Sequence, residues 1–318
     1  MAKLLITGGA GQLGSALAHV LSQNPEHSIV VVDNLLTGQV HKIPKSSNVL
    51  FINADVNNYH DVVPIFGRFD FDYVFHYAAV VGVKRTLEHP IKVLEDIEGI
   101  KNILSLSKNS GVKRVFYSSS SEVYGEPFEL PQNENTTPLN SRLPYAIVKN
   151  VGEAFFKSYE REYGLEYTIF RFFNTYGPHQ SDDFVIPRFV KAALKGEPLK
   201  IYGSGQQTRS FCYVDDNVAT CVKALEQDAY VNDVLNVGND KEVTILELAE
   251  TILKITHSSS EILMLPALKE GDMQRRCPDN TKMKQLLDRD LISLESGLER
   301  LVTYYLKSNA TIALSSGQ

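Results

Sequence analysis

The sequence predicts a doubly wound α/β fold, a mostly parallel sheet with helices on both faces, joined to a smaller mixed α/β lobe. Three observations carry this expectation. Short β-branched runs alternate with longer helical patterns through the first half, as repeated strand–helix–strand units do. Runs such as Ile29-Val30-Val31-Val32 are apolar at every position, which suits a strand covered on both faces. A glycine-rich turn, Gly8-Gly9-Ala10-Gly11-Gln12-Leu13-Gly14, then separates the first strand from the first helix.

In chain order, strands are expected over 4–7, 28–33, 48–52, 73–77, 115–118 and 167–172. Helices are expected over 13–21, 93–109 and 145–163, the last opened by Pro144, which suits a first helical turn. The second half is more mixed, with strands over 199–202, 210–214 and 234–237. Its helices fall over 187–194, 216–226, 245–255 and 281–287. This pattern divides the chain into a sheet domain (1–172) and a ligand-holding lobe (173–307, some of which can return to the sheet). Residues 308–318 are small and polar enough to fray as a tail.

Composition excludes several classes. Of 318 residues, 43% are hydrophobic and 22% charged, which allows a sizeable core. A formal net charge of −6 speaks against nucleic acid or an anionic membrane as the principal partner. No apolar run reaches the roughly 18 residues of a membrane span. The opening Met1-Ala2-Lys3 leads straight into the first strand, so no signal peptide is expected. Three scattered cysteines (Cys212, Cys221, Cys277) make neither a disulfide framework nor a zinc site. A cytoplasmic protein with reduced thiols and no metal is expected.

Glycines at 8, 11 and 14 allow a tight turn, close approach of backbone to a pyrophosphate, and close helix–sheet packing. The helix start at Gln12 and Leu13 then offers unpaired N–H groups to phosphate. Asp33 ends the second strand, where a carboxylate can accept hydrogen bonds from a ribose, with Asn34 beside it. That carboxylate would repel a 2′-phosphate, and Asn34-Leu35-Leu36 offers no arginine to compensate. NAD is therefore expected rather than NADP, on a Rossmann-type sheet. Tyr145 and Lys149 stand one helical turn apart on one face. An ammonium near the phenol, with oxidised nicotinamide adding a second positive charge, is expected to lower its pKa, so that the phenolate can take a proton from a substrate hydroxyl.

The spacing Gly-x-x-Gly-x-x-Gly with Tyr-x-x-x-Lys resembles the extended branch of the short-chain dehydrogenase/reductase superfamily, specifically its nucleotide-sugar epimerases and dehydratases. The resemblance spans the chain to about residue 305. It implies that Asp55-Val56 contacts adenine and that Ala78 and Ala79, in His76-Tyr77-Ala78-Ala79, lie beside the cofactor. It also implies that Ser120 completes a triad with Tyr145 and Lys149. In Ser120-Ser121-Glu122-Val123-Tyr124-Gly125, Glu122 resembles the acid of sugar 4,6-dehydratases and UDP-glucuronate decarboxylases, an acid that 4-epimerases usually lack.

The implied activity is transient oxidation at sugar C4, with a 4,6-dehydratase outcome slightly ahead of a 4-epimerase and then a decarboxylase. A non-catalytic, NAD-sensing relative is the remote alternative. Ser121 departs from the aspartate of dTDP-glucose dehydratases and leaves the leaving-group acid unassigned. The segment Gly82-Val83-Lys84-Arg85-Thr86 lacks the Ser-Pro-x-x-Tyr of decarboxylases.

For the substrate, Arg171-Phe172-Phe173-Asn174-Thr175-Tyr176-Gly177-Pro178 matches a family segment whose asparagine meets a diphosphate. Val83, Tyr202, Arg209 and Arg276 are the other implied contacts of a UDP-sugar. Lys269 stands where many epimerases carry arginine, and Asp96 where the family often has asparagine; neither is assigned a role. Helices 93–109 and 145–163 resemble those that pair relatives into homodimers, with Ile100, Ile103, Phe155 and Phe156 as the apolar positions.

Overall fold

The computed structural model describes residues 2–267 and 275–315. Strand β1 (Lys3–Thr7) runs through the glycine turn into helix α1 (Gln12–Leu21), and β2 (Ser28–Asp33) follows. The alternation continues with β3 (Val49–Asn53), α2 (Tyr59–Arg68) and β4 (Tyr73–His76). Helices α3 (Val83–Glu88), α4 (Pro90–Leu94) and α5 (Asp96–Asn109) lead to β5 (Arg114–Ser120). A short 3₁₀ turn, Ser121–Tyr124, ends β5, and α6 (Pro144–Tyr163) precedes β6 (Glu166–Phe172).

The second half contains β7 (Thr175–Tyr176), α7 (Val185–Lys195), β8 (Leu199–Tyr202), β9 (Thr208–Ser210) and β10 (Cys212–Tyr213). It continues with α8 (Val214–Glu226), β11 (Asp233–Val237), β12 (Glu242–Thr244) and α9 (Ile245–Thr256). Last come β13 (Ile262–Leu265), α10 (Thr281–Leu287) and α11 (Leu294–Ser315).

Seven parallel strands form one sheet in the order β11-β6-β5-β4-β1-β2-β3. Alternate side chains leave opposite faces of a strand, and both faces are buried here. Leu4, Ile6, Val31, Phe75, Phe116 and Phe170 enter one core, while Leu5, Val30, Val32, Val74, Val115 and Ile169 enter the other. The strand order reverses beside β1, whose neighbours are β2 and β4. In such sheets the crevice beyond the strands' carboxyl ends at this reversal is where ligands sit. Strand β11 belongs to the second half yet lies on the outer side of β6. Three two-stranded ladders, β10–β7, β12–β9 and β13–β8, build the lobe.

Several elements differ from the sequence expectation. The helix expected over 93–109 is two, α4 and α5, joined at Glu95, which keeps right-handed helical angles (φ −62°, ψ −23°). The strand expected over 210–214 is split at Phe211, because β9 pairs with β12 while β10 pairs with β7. Helix α2 escapes the sequence reading because Pro64 lies inside it, where proline removes a backbone hydrogen bond. Helix α11 runs to Ser315, so helix continues past residue 308, where a fraying tail was expected. Alanine and leucine in the stretch 309–315 favour helix.

The apolar positions assigned to a partner also need correction. Ile100, Ile103 and Phe156 are at most 2% exposed and pack inside this chain. Phe156 stacks on Tyr117 with ring centroids 4.6 Å apart. Phe155 alone of the four lies on the outer face of α6, in a groove with Val151, Ala154, Ser158 and Tyr159.

Candidate active site

A cleft of about 1810 Å3 opens at the carboxyl ends of β1, β4 and β5 and continues into the lobe. Its wall includes Gly8, Gly11, Gln12, Leu13 and Gly14 from the glycine turn, then Asp33, Asn34, Asp55, Val56, Ala78 and Ala79. It also includes Ser120, Glu122, Tyr145 and Lys149, and from the lobe side Asn174, Tyr202, Arg209 and Arg276. Residue Val83 begins α3 beside Gly82 of the same wall, and its side chain is outside the described residues. Lys269 also lies outside the described residues.

The turn is built for close approach. Gly8 sits at φ +68°, and a Cβ there would stand 2.6 Å from the Ala78 nitrogen. A Cβ on Gly14 would come within 2.4 Å of the Gly8 carbonyl oxygen. Helix α1 has no side-chain cap at Gly11, so its first N–H groups stay open toward the cleft. Asp33, 8% exposed, braces the turn from below. Its Oδ2 accepts from the Ala10 N–H at 3.0 Å and its Oδ1 from the Leu35 N–H at 2.8 Å. Each carboxylate oxygen keeps a second lone pair for a ribose hydroxyl. Asn34 donates to Asp55 Oδ2 at 3.0 Å, linking the ends of β2 and β3. This cradle of glycines, helix start and strand-end acid fits a dinucleotide.

Helix α6 brings Tyr145 and Lys149 under the end of β5. The Lys149 ammonium donates to the Ser118 carbonyl at 2.6 Å and lies 5.8 Å from the Tyr145 ring centroid. The Tyr145 phenol shares a hydrogen bond with Ser120. Burial pushes the Tyr145 pKa above its ordinary value, against the Ser120 hydrogen bond and the charge of Arg276, while Glu122 and Asp96 push it further up. Burial is the largest influence on the phenol, and the Lys149 ammonium is turned to the Ser118 carbonyl. Lys149 itself is pulled down to about 8 by burial, with Asp96 opposing. Beneath it, burial and the charge of Lys149 pull His76 down to about 3, and its Nδ1 lies 2.9 Å from Thr7 Oγ1.

Across the cleft, the Arg276 guanidinium donates to Glu122 Oε1 at 2.9 Å and to Ser121 Oγ at 3.3 Å. Arg276, an implied contact of the UDP-sugar, is an ion-pair partner of the candidate acid. Asn174 donates to the Ser210 carbonyl at 3.0 Å, Arg209 to the Thr208 carbonyl at 2.7 Å, and the Arg188 guanidinium lies 5.7 Å from the Tyr202 ring centroid.

A family model described as the NAD dependent epimerase/dehydratase family matches residues 4–238. The chain belongs to this family. NAD is its cofactor. The chain is 36% identical to a UDP-N-acetyl-alpha-D-glucosaminuronate decarboxylase of Bacillus cytotoxicus, covering 95% of this chain and 97% of the relative. Among solved structures it resembles UDP-glucose 4-epimerase of Thermotoga maritima, with a TM-score of 0.91 at 34% identity over 96% and 99% of the two chains. It also resembles the dTDP-glucose 4,6-dehydratase DesIV of Streptomyces venezuelae, with a TM-score of 0.88 at 28% identity over 97% and 98%.

Within this epimerase/dehydratase framework, sequence reasoning passed over Asp96. It lines the cleft, is 8% exposed, and accepts from the Val80 N–H at 2.7 Å and from Asn57 at 3.3 Å. The signals available were its acidic character in a helix start and its departure from the family's asparagine. Lys42 was also missed: 8% exposed and in the cleft wall, it donates to the His179 carbonyl at 3.2 Å.

Two predictions arise here. Gly14→Ala is expected to cost about 1–3 kcal/mol of stability through the backbone clash, and to weaken NAD binding, both read by thermal melts with and without NAD. The second concerns Lys149, whose folded pKa of about 8 lies below the ordinary 10.5. Between those values the unfolded chain holds a proton that the folded chain has released, so this group's contribution to stability rises with pH. Relative to Lys149→Met, the wild type should gain up to about 3 kcal/mol between pH about 7 and about 10. Urea titrations at both pH values measure the difference.

Proposed function

We propose that this protein is a UDP-sugar decarboxylase that converts a UDP-hexuronate to the corresponding UDP-pentose with loss of carbon dioxide. The observation that carries this reading is the Arg276–Glu122 ion pair set beside Ser120 and Tyr145. A lone glutamate in the site would repel a uronate, whereas a guanidinium offers its fork to the substrate carboxylate. The named activity of the Bacillus cytotoxicus relative points the same way. A dehydratase needs an acid for the departing hydroxyl, and Ser121 occupies the position where dTDP-glucose dehydratases carry aspartate. For that reason the decarboxylase moves ahead of the dehydratase favoured by sequence.

Gly8, Gly11 and Gly14 with the start of α1 would hold the NAD pyrophosphate, Asp33 its adenosine ribose, and Asp55 and Val56 the adenine side. Bound NAD supplies a hydride acceptor for the sugar's C4 and later returns the hydride. Tyr145 takes the C4 hydroxyl proton, with Ser120 bonded to the same oxygen and Lys149 fixed by Ser118 beneath them. The C5–C6 bond of the resulting β-keto acid then breaks, carbon dioxide leaves, and its electron pair moves onto the C4 oxygen. Ser120 and Tyr145 stabilise that oxyanion. A proton is added at C5, on the side where Glu122 and Arg276 stand. Asn174 and Arg209 would serve the diphosphate, and Tyr202 and Val83 the rest of the nucleotide-sugar.

The test is mass spectrometry of products from UDP-glucuronate, UDP-N-acetylglucosaminuronate and a panel of UDP-, dTDP- and GDP-sugars. A mass loss equal to carbon dioxide is expected. Loss of water would mean dehydration, and unchanged mass with altered retention would favour the 4-epimerase reading, to which the Thermotoga maritima structure lends weight. Silence on every sugar would leave a non-catalytic NAD-binding role. In addition, Glu122→Gln should slow product formation by about 10²-fold or more while C4 oxidation, read by absorbance of the reduced cofactor, persists.

The same reading includes a cytoplasmic homodimer. Ile91 (70% exposed), Leu94, Ile147 and Tyr163 are exposed apolar or aromatic side chains on α4 and α6, and the three cysteines are free thiols, as in a reducing compartment. No helix among the described residues is long and apolar enough to cross a membrane.

A further inference from the structure

Behind the cleft wall, a buried hydrogen-bond network ties together the elements that carry the reacting side chains. Glu153 follows Tyr145 and Lys149 on the same face of α6. Its Oε1 accepts from the Ser119 hydroxyl at 2.6 Å and from Arg171 Nε at 2.8 Å, and its Oε2 accepts from Arg171 Nη2 at 2.7 Å. Arg171 Nη1 donates to the Tyr124 hydroxyl at 2.7 Å, and that hydroxyl donates to Asn236 Oδ1 at 2.7 Å. All five residues are at most 3% exposed.

The network meets the site at two points. Ser119 adjoins Ser120, and Tyr124 is the last residue of the turn that carries Glu122. The segment that feeds α6 is stitched to the same turn. The Asn140 N–H donates to the Val123 carbonyl at 3.0 Å, and the Ser141 hydroxyl to the same oxygen at 3.1 Å. Beyond Tyr124 the chain leaves through Gly125 at φ +61°, where a Cβ would stand 2.2 Å from the Asn140 carbonyl oxygen. The turn and the segment leading into α6 are therefore in backbone contact, and the Tyr124 phenol adds a side-chain tie at the turn's outer end.

We propose that Tyr124 is a positioning residue: clamped between Arg171 and Asn236, its hydroxyl sets where Glu122 and its partner Arg276 stand relative to Tyr145. The ring alone fills the space against Phe173, with centroids 6.1 Å apart. The hydroxyl adds direction. It accepts from a guanidinium that Glu153 already holds on two sides, so the phenol oxygen has little freedom to drift. A displaced turn would move Glu122 while leaving Lys149 on Ser118. This placement rests on the decarboxylase reading only for the role of Glu122.

Tyr124→Phe in the full chain tests it, because the substitution keeps the packing and removes only the hydroxyl. We expect kcat to fall about tenfold with KM nearly unchanged, and the melting temperature to fall by several degrees, because Arg171 and Asn236 each lose a buried partner. The ratio of C4 oxidation to product formation should rise, because Ser120, Tyr145 and Lys149 stay in place while Glu122 does not. An unchanged kcat and ratio would overturn the proposal. So would an equal loss in both steps, which marks a merely structural hydroxyl. A crystal structure of the variant gives a readout that needs no turnover: the Glu122–Arg276 pair should be displaced, and an unmoved turn overturns the proposal. Failure of the decarboxylase reading shows separately, as a wild type that releases no carbon dioxide from any UDP-hexuronate.

Discussion

Tyr145→Phe is expected to abolish turnover, with a loss of about 10²–10⁴-fold in kcat, while the protein still folds and binds NAD. The phenol is the proposed base at the cleft wall, hydrogen-bonded to Ser120. Burial pushes its pKa up, and the Ser120 hydrogen bond and the charge of Arg276 oppose that. Phenylalanine keeps the ring and its packing and removes the one atom that can carry the proton. Product formation by mass spectrometry and NAD affinity by calorimetry together check the claim. Retained turnover would remove Tyr145 as the base; lost NAD binding would show that the hydroxyl is needed to hold the cofactor, so that the loss of turnover no longer reports proton transfer.

Glu153→Ala is expected to have the largest effect on stability. Glu153 and Arg171 form an ion pair whose side chains are 1% and 2% exposed. Removing the carboxylate leaves a guanidinium buried without its counter-charge, which costs about 3–5 kcal/mol. Ser119 loses its acceptor at the same time. By contrast, the Lys113–Asp72 pair has its lysine side chain 62% exposed, and Lys113→Met should leave the melting curve in place. Thermal and urea unfolding of the two variants beside the wild type makes the comparison. A Glu153→Ala protein as stable as the wild type would mean that water or a rearranged side chain satisfies Arg171, and that the network is looser than its distances indicate.

What the sequence made legible was local. Gly8, Gly11, Gly14 and Asp33 are readable because a turn, a helix start and a strand end lie close along the chain. Tyr145 and Lys149 are readable because helical periodicity puts them on one face. The parallel sheet is readable from runs such as Ile29–Val32 that carry no polar face. The rest depends on distant segments meeting. Arg276 and Glu122 are separated by 154 positions, and nothing near either announces the other. Depth of burial is hidden for the same reason: the cation beside Tyr145 can be seen in sequence, whereas the desolvation that pushes its phenol up cannot. Ile100 and Phe156 show the converse, since an apolar helix stripe reads alike whether it covers its own sheet or a second molecule.

The return of β11 to the outer side of β6 bears on how the protein is made. Translation must pass Val237 before the last place in the sheet can be filled. A nascent chain that has emerged only as far as β6 carries a bare row of peptide groups, open to any passing strand. A gene fragment ending at residue 172 would be left permanently in that state, so insoluble product is its expected fate. Until β11 emerges, β6 is therefore an open edge of the growing sheet.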